Sequence, residues 1–255
     1  MLSRKIWVRY QSFENIPSAL DADPQDWLSE LERRECERFR DEGRLREWLA
    51  GRFTAKQLLY EQFVPWTTLW RHVEILSRDE QGRAVRPLVR IDQDQKPWCV
   101  SISHSGRGVL VAVSVEPAVK VGVDLAEVEE LKPESLVFWF SAREREMLRE
   151  GEPRRAAVCW AVKEAVFKAI NTGESFVPKK FEVFQPAHGV YDCRYEGNSL
   201  KDRSRISVWD VDGHVAVTAI IAGTPLALKA VPQIGGQTDQ EPVSADREIE
   251  LVGIS

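Results

Sequence analysis

Acidic and basic side chains recur at helical spacing in one short stretch of the chain. Trp160, Glu164 and Lys168 follow one another every four residues, so they share one face of a helix, and Lys163 lies beside them. A carboxylate one turn from an ammonium suits a bound metal ion and the phosphate oxygens that the ion bridges. The same spacing is typical of a surface helix, whose Glu–Lys pair is worth only about 0.2–0.5 kcal/mol. Taken alone, the stretch favours the surface helix.

The flanking residues define the ends of this helix. Pro153 suits the first turn, because a ring without an N–H loses no hydrogen bond there. Asn171-Thr172-Gly173 ends the helix, since Gly173 can adopt the left-handed conformation beyond the last turn. We therefore expect a helix over residues 154–170.

Two upstream segments could bring further polar groups to this helix. Asp124 ends a predicted strand and follows Gly122, where a backbone without Cβ permits close approach of another element. Ser103 and His104 open a predicted turn after an apolar strand. A lone aspartate at a strand end is more often a solvated residue, and a turn histidine is often only structural. The three segments form a site only if they pack together.

Several common chemistries lack their sequence signals. Ser–His adjacency could indicate a hydrolase, but no G-x-S-x-G nucleophile elbow is present. Gly106-Arg107-Gly108 lacks a third glycine and opens a strand, which excludes a dinucleotide fingerprint, and there is no Walker A loop. The four cysteines have no zinc spacing, so we expect free thiols in a reducing compartment.

Composition limits the class of protein. The chain has 255 residues, of which 43% are hydrophobic, enough for one large or two small domains with a core. A net charge of −5 and a pI of about 5.6 argue against broad nucleic-acid binding. No apolar run approaches the roughly 18–20 residues of a membrane span, and the N-terminus has no apolar signal segment. We expect a cytoplasmic protein without membrane contact.

Hydrophobic periodicity predicts helices and short strands in both halves of the chain, which indicates an α+β fold. Strands are predicted at residues 6–10, 73–76, 98–103, 109–115, 119–125, 181–184, 190–195, 206–211 and 215–221. Helices are predicted from Asp23-Pro24, over 31–46 with a break near Gly43, over 44–62, from Ser141 to 150, and over 154–170. We expect an N-terminal half (1–117), a C-terminal half (118–230) and a flexible tail (231–255), because the residues after Pro232 are polar and weakly patterned.

Three segments occur in an order that is more specific than any of them alone. They are S-I-S-H-S-G at Ser101–Gly106, V-G-V-D-L at Val121–Leu125 and W-A-V-K-E-A-V-F-K-A at Trp160–Ala169. With these motifs over residues 35–185, the chain resembles the phosphopantetheinyl transferases of the surfactin-synthetase-activating type. Their pattern is an S-H-S turn, a G-V/I-D-I/L strand and W-x-x-K-E-x-x-x-K.

The resemblance implies a transferase that moves the phosphopantetheine arm of coenzyme A to a serine of an acyl or peptidyl carrier protein. Adenosine 3',5'-bisphosphate is the other product. The fold that it implies is a pseudo-twofold pair of similar α+β halves, with Mg²⁺ and coenzyme A in the cleft between them. Such a duplication within one chain favours a monomer. The pathway of the carrier protein is not indicated.

The resemblance also assigns roles. Asp124 and Glu164 would hold Mg²⁺, which prefers hard oxygen ligands and retains several waters. Glu164, Lys168 and His104 would be catalytic, with Glu164 taking the serine proton. The residues implied to bind coenzyme A are Arg78, Arg83, Ser103, His104, Lys163 and Lys168.

One position departs from the family pattern. Many relatives have a second acid two residues after the aspartate, where this chain has Ala126, and Glu127 points to the other face of an extended strand. Either water completes the metal shell, which we favour, or the chain is a non-catalytic homologue that binds coenzyme A or carrier proteins. A third interpretation is an unrelated protein with chance matches. An arginine-rich segment is either a carrier-binding surface or a solvated helix face: Arg33, Arg34, Arg38, Arg40, Arg44 and Arg46.

Overall fold

Antiparallel sheets with helices packed against them make up the described part of the chain. A computed structural model describes residues 4–16, 23–79, 81–129, 133–148, 153–170, 173–222 and 245–251. It confirms the predicted α+β class. Over these ranges, no helix is both long enough and apolar enough to cross a membrane.

The N-terminal half begins with a strand, continues through helices and a three-stranded sheet, and returns with two strands beside the first. Its elements are β1 (Arg4–Ser12), α1 (Pro24–Trp27), α2 (Glu30–Cys36), α3 (Glu42–Gln62), β2 (Val73–Arg78), β3 (Ala84–Ile91), β4 (Asp94–Lys96), β5 (Cys99–Ser105) and β6 (Gly108–Ser114). β2, β3 and β4 form one sheet, and β6 lies between β1 and β5 in the other.

The C-terminal half repeats this order. Its elements are β7 (Val119–Glu127), α4 (Pro133–Trp139), α5 (Ala142–Leu148), α6 (Pro153–Ile170), β8 (Phe181–Ala187), β9 (Val190–Tyr195), β10 (Asn198–Ser199), β11 (Ser204–Val211) and β12 (His214–Ala222). β8, β9 and β10 form one sheet, and β12 lies between β7 and β11 in the other. The two halves therefore have the same topology, and the predicted boundary at residue 117 falls between β6 and β7.

A strand from the end of the chain joins the N-terminal half. β13 (Ala245–Leu251) pairs antiparallel with β1, with Leu251 opposite Arg4. The structure thus differs from the flexible tail predicted for residues 231–255. This strand was not predicted, because the run is short and its four charged residues outnumber its three apolar ones. The hydrogen bonds of a backbone ladder need no apolar pattern. Residues 231–244 and 252–255 lie outside the described ranges.

The first strands of the two halves share one core. It contains alternate residues of both strands: Ile6, Val8, Tyr10, Val121, Val123 and Leu125. Because strand residues alternate between faces, the other residues of β1 and β7 face helices. Arg9 on β1 contacts α3, and Gly122 on β7 contacts α6. Equivalent positions in the two halves can therefore be identified by face.

Side chains of β5 join the two halves at the edge of β7. Alternate β5 side chains accept hydrogen bonds from backbone N–H groups of β7, at 3.0 to 3.3 Å. These bonds satisfy edge N–H groups that no strand pairs with. The pairs are Cys99–Val121, Ser101–Val123 and Ser103–Leu125.

Most predicted strands and helices occur within a few residues of their predicted ends, and three differences matter. The break placed near Gly43 lies instead at residues 37–41, where the Asp41 side chain accepts from the N–H of Arg44 and begins α3. β3 was not predicted, because Pro87 interrupts its apolar pattern. β5 and β7 each continue two residues past their predicted ends, which changes how the site residues are oriented.

Candidate active site

Ser103 and His104 lie in a strand and not in the predicted turn. β5 remains paired with β6 as far as Ser105, opposite Gly108, so the turn consists of Gly106 and Arg107. Because neighbouring strand residues point to opposite faces, Ser103 points toward β7 and His104 toward α3. Both residues were expected to contact phosphate. Their side chains lie on opposite faces of β5.

Asp124 lies beneath α6, on the same face of β7 as Gly122. A Cβ at Gly122 would come 1.9 Å from the backbone oxygen of Ala165, so only glycine allows α6 to lie this close. The buried Asp124 carboxylate accepts a hydrogen bond from Ser103 Oγ at 2.8 Å. The predicted close approach at Gly122 therefore places Asp124 against both β5 and α6.

The Lys168 ammonium lies where these elements meet. Its Nζ is 2.8 Å from Asp124 Oδ1, 3.2 Å from Ser103 Oγ and 3.7 Å from Glu164 Oε2. It also donates to the backbone oxygen of Val123 at 3.1 Å. The predicted face of α6 thus places Glu164 and Lys168 beside Asp124. Because Ser103 also contacts Lys168, residues of both halves form the site.

The surroundings of the Glu164 carboxyl disfavour its ionised form. Burial raises the pKa of its carboxyl, and the nearby Asp124 carboxylate adds to the rise, while Lys168 opposes it. The Glu164 side chain is 20% exposed, so it remains accessible from the cleft. An additional cation at this position would stabilise its ionised form.

His104 lies beside a carboxylate of its own, N-terminal half. Its Nδ1 lies 3.1 Å from Glu47 Oε2 on α3, and 44% of its side chain is exposed. The pKa of His104 is lowered, first by burial of part of the ring and then by Lys168 and Arg44. Glu47 and, more weakly, Asp124 act in the opposite direction.

Lys163 does not reach the site, which corrects the expectation that it binds phosphate. Its side chain is fully buried on another side of α6, where Nζ pairs with Glu144 Oε2 at 2.7 Å. Nζ also donates to the backbone oxygens of Trp139 and Pro178, at 2.9 and 3.2 Å. All three ammonium protons have acceptors within the core, so none is left for a ligand.

Arg78 and Arg83 lie at the end of the β2–β3 hairpin. The first donates to the backbone oxygen of Gly82 at 2.8 Å, and the second to Asp79 Oδ2 at 2.7 Å. The hairpin is tied to the site by Arg86, which donates to the backbone oxygens of Lys168 and Ala169 at the end of α6. A contact of Arg78 and Arg83 with coenzyme A stays a prediction.

The arginine-rich segment divides between the two interpretations of it. Arg33 and Arg34 pair with Glu30 on the surface of α2, as a solvated helix face would. Arg38 lies against the hairpin at Gly82, and Arg44 acts electrostatically on His104. Among these four arginines, Arg44 is therefore the one that acts on a residue of the candidate site.

The donor chemistry of the site fits a small, hard divalent cation. Asp124 and Glu164 come from separate elements and converge on one ammonium, Lys168. No group of three or more His, Cys, Asp or Glu residues that could hold a metal occurs within the described ranges. Ala126 supplies no side-chain oxygen, and Glu127 lies on the opposite face of β7, where its Oε1 is 3.7 Å from His214 Nε2. A cation here would take its remaining ligands from water or phosphate, which Mg²⁺ accepts.

Two residues at the site escaped the sequence interpretation. Glu47 contacts His104 from 57 positions upstream, and Arg86 reaches α6 from 82 positions upstream. Neither belongs to a local spacing pattern, so only the tertiary packing of α3 and the hairpin reveals them.

Residues 120–220 match the family model of the 4'-phosphopantetheinyl transferase superfamily. The matched region includes Asp124, Glu164 and Lys168. It begins after Ser103 and His104, which it does not include. Enzymes of this superfamily use coenzyme A as a substrate and act on carrier proteins. No curated protein matches the chain.

Proposed function

We propose that the chain transfers the phosphopantetheine arm of coenzyme A to a serine of an acyl or peptidyl carrier protein. The reaction would depend on Mg²⁺ and release adenosine 3',5'-bisphosphate, in the manner of the surfactin-synthetase-activating transferases. One observation carries the proposal: Ser103, Asp124 and Lys168 meet within hydrogen-bonding distance, beside Glu164, and the last three residues lie in the region that matches the superfamily.

The chain's own residues supply most of the chemistry. The serine oxygen of the carrier attacks the phosphorus that bears the pantetheine arm, and the bond from that phosphorus to the bridging oxygen breaks. Lys168 lies where its ammonium can neutralise diphosphate oxygens as their charge rises. Glu164 accepts the serine proton, and Ser103 fixes the Asp124 carboxylate through its hydroxyl. Asp124 and Glu164 would hold Mg²⁺, which supplies charge neutralisation when bound.

The position of the site explains why both halves are needed. Ser103 comes from β5 of the N-terminal half, whereas Asp124, Glu164 and Lys168 come from the C-terminal half. The β5–β7 joint therefore lies at the site, and one chain contains all of the proposed residues.

Transfer is tested with the purified chain, coenzyme A, Mg²⁺ and several apo carrier proteins. We expect mass spectrometry to show a carrier whose mass has increased by one phosphopantetheine group on its serine, and no increase when Mg²⁺ is chelated. Serine-to-alanine carriers serve as the matched control. The absence of any mass increase across fatty-acid, polyketide and peptide carriers would reject the proposed activity.

Ala126 favours a second candidate, a homologue that binds coenzyme A or a carrier protein without catalysis. Ala126 is almost buried on the face of β7 that carries Asp124, so this face offers one carboxylate where two acids would bind a cation more tightly. This candidate predicts coenzyme A binding that is insensitive to Mg²⁺. Calorimetric titration with and without Mg²⁺ separates the two. A coenzyme-dependent rise in melting temperature is expected from both and would be absent if the motif matches are chance.

A further inference from the structure

The His104 ring is held on one side by a carboxylate that the proposed function leaves unexplained. His104 points away from Asp124 because it follows Ser103 on β5, and on that side Glu47 Oε2 lies 3.1 Å from its Nδ1. Glu47 is the more enclosed partner, with 25% of its side chain exposed against 44% for His104. A part of the ring away from Glu47 therefore remains open to solvent.

Electrostatics determines which ring nitrogen carries the proton. A lone pair on Nδ1 would face the Glu47 carboxylate at 3.1 Å and be repelled, whereas a proton on Nδ1 is attracted. The neutral ring then has its lone pair on Nε2, the nitrogen farther from Glu47. The charged groups acting on the ring from neighbouring elements are Arg44 and Glu47 on α3, Asp124 on β7 and Lys168 on α6. Glu47 is the only one of these at contact distance of a ring nitrogen in the described structure.

We propose that Glu47 is a positioning residue: its negative charge keeps the proton of the neutral His104 ring on Nδ1 and leaves Nε2 to bind a phosphate group of coenzyme A. The identity of the ligand rests on the proposed function. A neutral ring in this state cannot donate from Nε2, so phosphate binding adds a proton there, and Glu47 balances the resulting imidazolium.

This arrangement predicts a pH dependence with a definite sign. Without the Glu47 charge, the pKa of His104 falls further, because Glu47 is the largest influence that raises it. Coenzyme A binding by a protein without that charge therefore weakens at a lower pH than binding by the unchanged protein. The effect belongs to binding, so KM rises while kcat is preserved.

The first test needs no coenzyme. Long-range ¹H–¹⁵N correlation spectra of the full chain with ¹⁵N-labelled histidine report which nitrogen of each ring is protonated, and Glu47→Gln and Glu47→Leu are compared with the unchanged protein. We expect neutral His104 to carry its proton on Nδ1, to show a weaker preference for Nδ1 in Glu47→Gln, which keeps the shape but not the charge, and to lose this preference in Glu47→Leu. Glu42→Gln, an exposed residue in the first turn of α3, is the control with the same charge change. A proton on Nε2 in the unchanged protein, or no spectral change in Glu47→Leu, would overturn the proposal.

The second test measures coenzyme A binding by calorimetry between about pH 6 and 8. We expect Glu47→Leu to weaken binding roughly tenfold, because the imidazolium loses a nearby compensating charge, and Glu42→Gln to leave binding unchanged. Equal affinity of Glu47→Leu and the unchanged protein would contradict the assignment. If the unchanged protein binds no coenzyme A, the proposed function fails and the ligand of Nε2 with it, while the spectra still show whether Glu47 holds the proton.

Discussion

Lys56 in the N-terminal half and Lys163 in the C-terminal half occupy equivalent positions in the repeated topology. The Lys56 ammonium pairs with Glu32 at 2.7 Å and donates to the backbone oxygens of Trp27 and Trp70 at 2.8 and 3.0 Å. Like Lys163, it is fully buried with its carboxylate partner. Each half therefore encloses one ammonium in a cage of one acid and two carbonyl groups.

The acid of each cage also makes the same additional hydrogen bonds in both halves. Glu32 and Glu144 each close a capping box at the start of a helix, with Ser29 and Ser141 as partners. The other oxygen of each carboxylate accepts an N–H from the first strand of the following three-stranded sheet, that of Ile75 or Val183. A cage that recurs in the N-terminal half, away from Asp124, Glu164 and Lys168, indicates a structural role. Lys163 and Lys56 therefore occupy equivalent positions because each holds a helix against a neighbouring helix and, through its carboxylate partner, against a sheet.

The two halves differ five residues further along the same helices. Lys168 on α6 contacts Asp124 on β7. The equivalent residue on α3 is Glu61, whose Oε1 lies 3.1 Å from Nη1 of Arg9 on β1. The ion pair has kept its place but exchanged its signs. In the C-terminal half an acid, Glu164, lies beside this pair, where the N-terminal half has Gln57. At these equivalent positions, the C-terminal half therefore offers two acids to a cation, whereas the N-terminal half offers one.

The largest predicted effect concerns the cages. Lys163→Met and Lys56→Met each leave a buried carboxylate without its partner, so each should lower the free energy of unfolding by about 3–5 kcal/mol. Denaturant unfolding measures both. If Lys163 instead served the ligand, its substitution would impair coenzyme A binding without a comparable loss of stability, and the equivalence of the two cages would be broken.

The next effect concerns the reversed ion pair. Lys168→Met should reduce transfer to the carrier protein about 10²–10³-fold, the loss that follows removal of one group that stabilises developing charge. Glu61→Gln alters the equivalent position of the N-terminal half and should leave transfer unchanged, measured well below the melting temperature of each variant. Equal losses in the two variants would mean that the pair acts through stability alone, and the functional difference between the halves would disappear.

These comparisons also show how far the sequence could lead. Local spacing was sufficient to predict α6, the β7 strand and the shared face of Glu164 and Lys168, because periodicity follows from backbone geometry. It could not separate Lys163 from Lys168, since both lie on α6 and their partners come from elsewhere in the chain. Lys163 meets α5 and the segment before β8, whereas Lys168 meets β5 and β7. The sequence also did not show that these ion pairs are equivalent, because the acidic and basic residues are exchanged between the two halves.

The smallest predicted effect concerns Glu164, which the N-terminal half replaces with a neutral amide. Its pKa is raised, chiefly by burial, so the folded chain holds this proton more tightly than the unfolded chain does. The stability that this group contributes is present below the ordinary pKa of a glutamate and is lost as the pH rises through the raised pKa.

Glu164→Gln should therefore melt at a higher temperature than the unchanged protein at neutral pH, and the two melting temperatures should converge in acid, below about pH 4. Mg²⁺ should reduce the difference, since it stabilises the ionised carboxylate only in the unchanged protein. Thermal melts over a pH series with and without Mg²⁺ measure this, and a Glu164→Gln variant that melts lower at neutral pH would show that the carboxylate is fully compensated by Lys168.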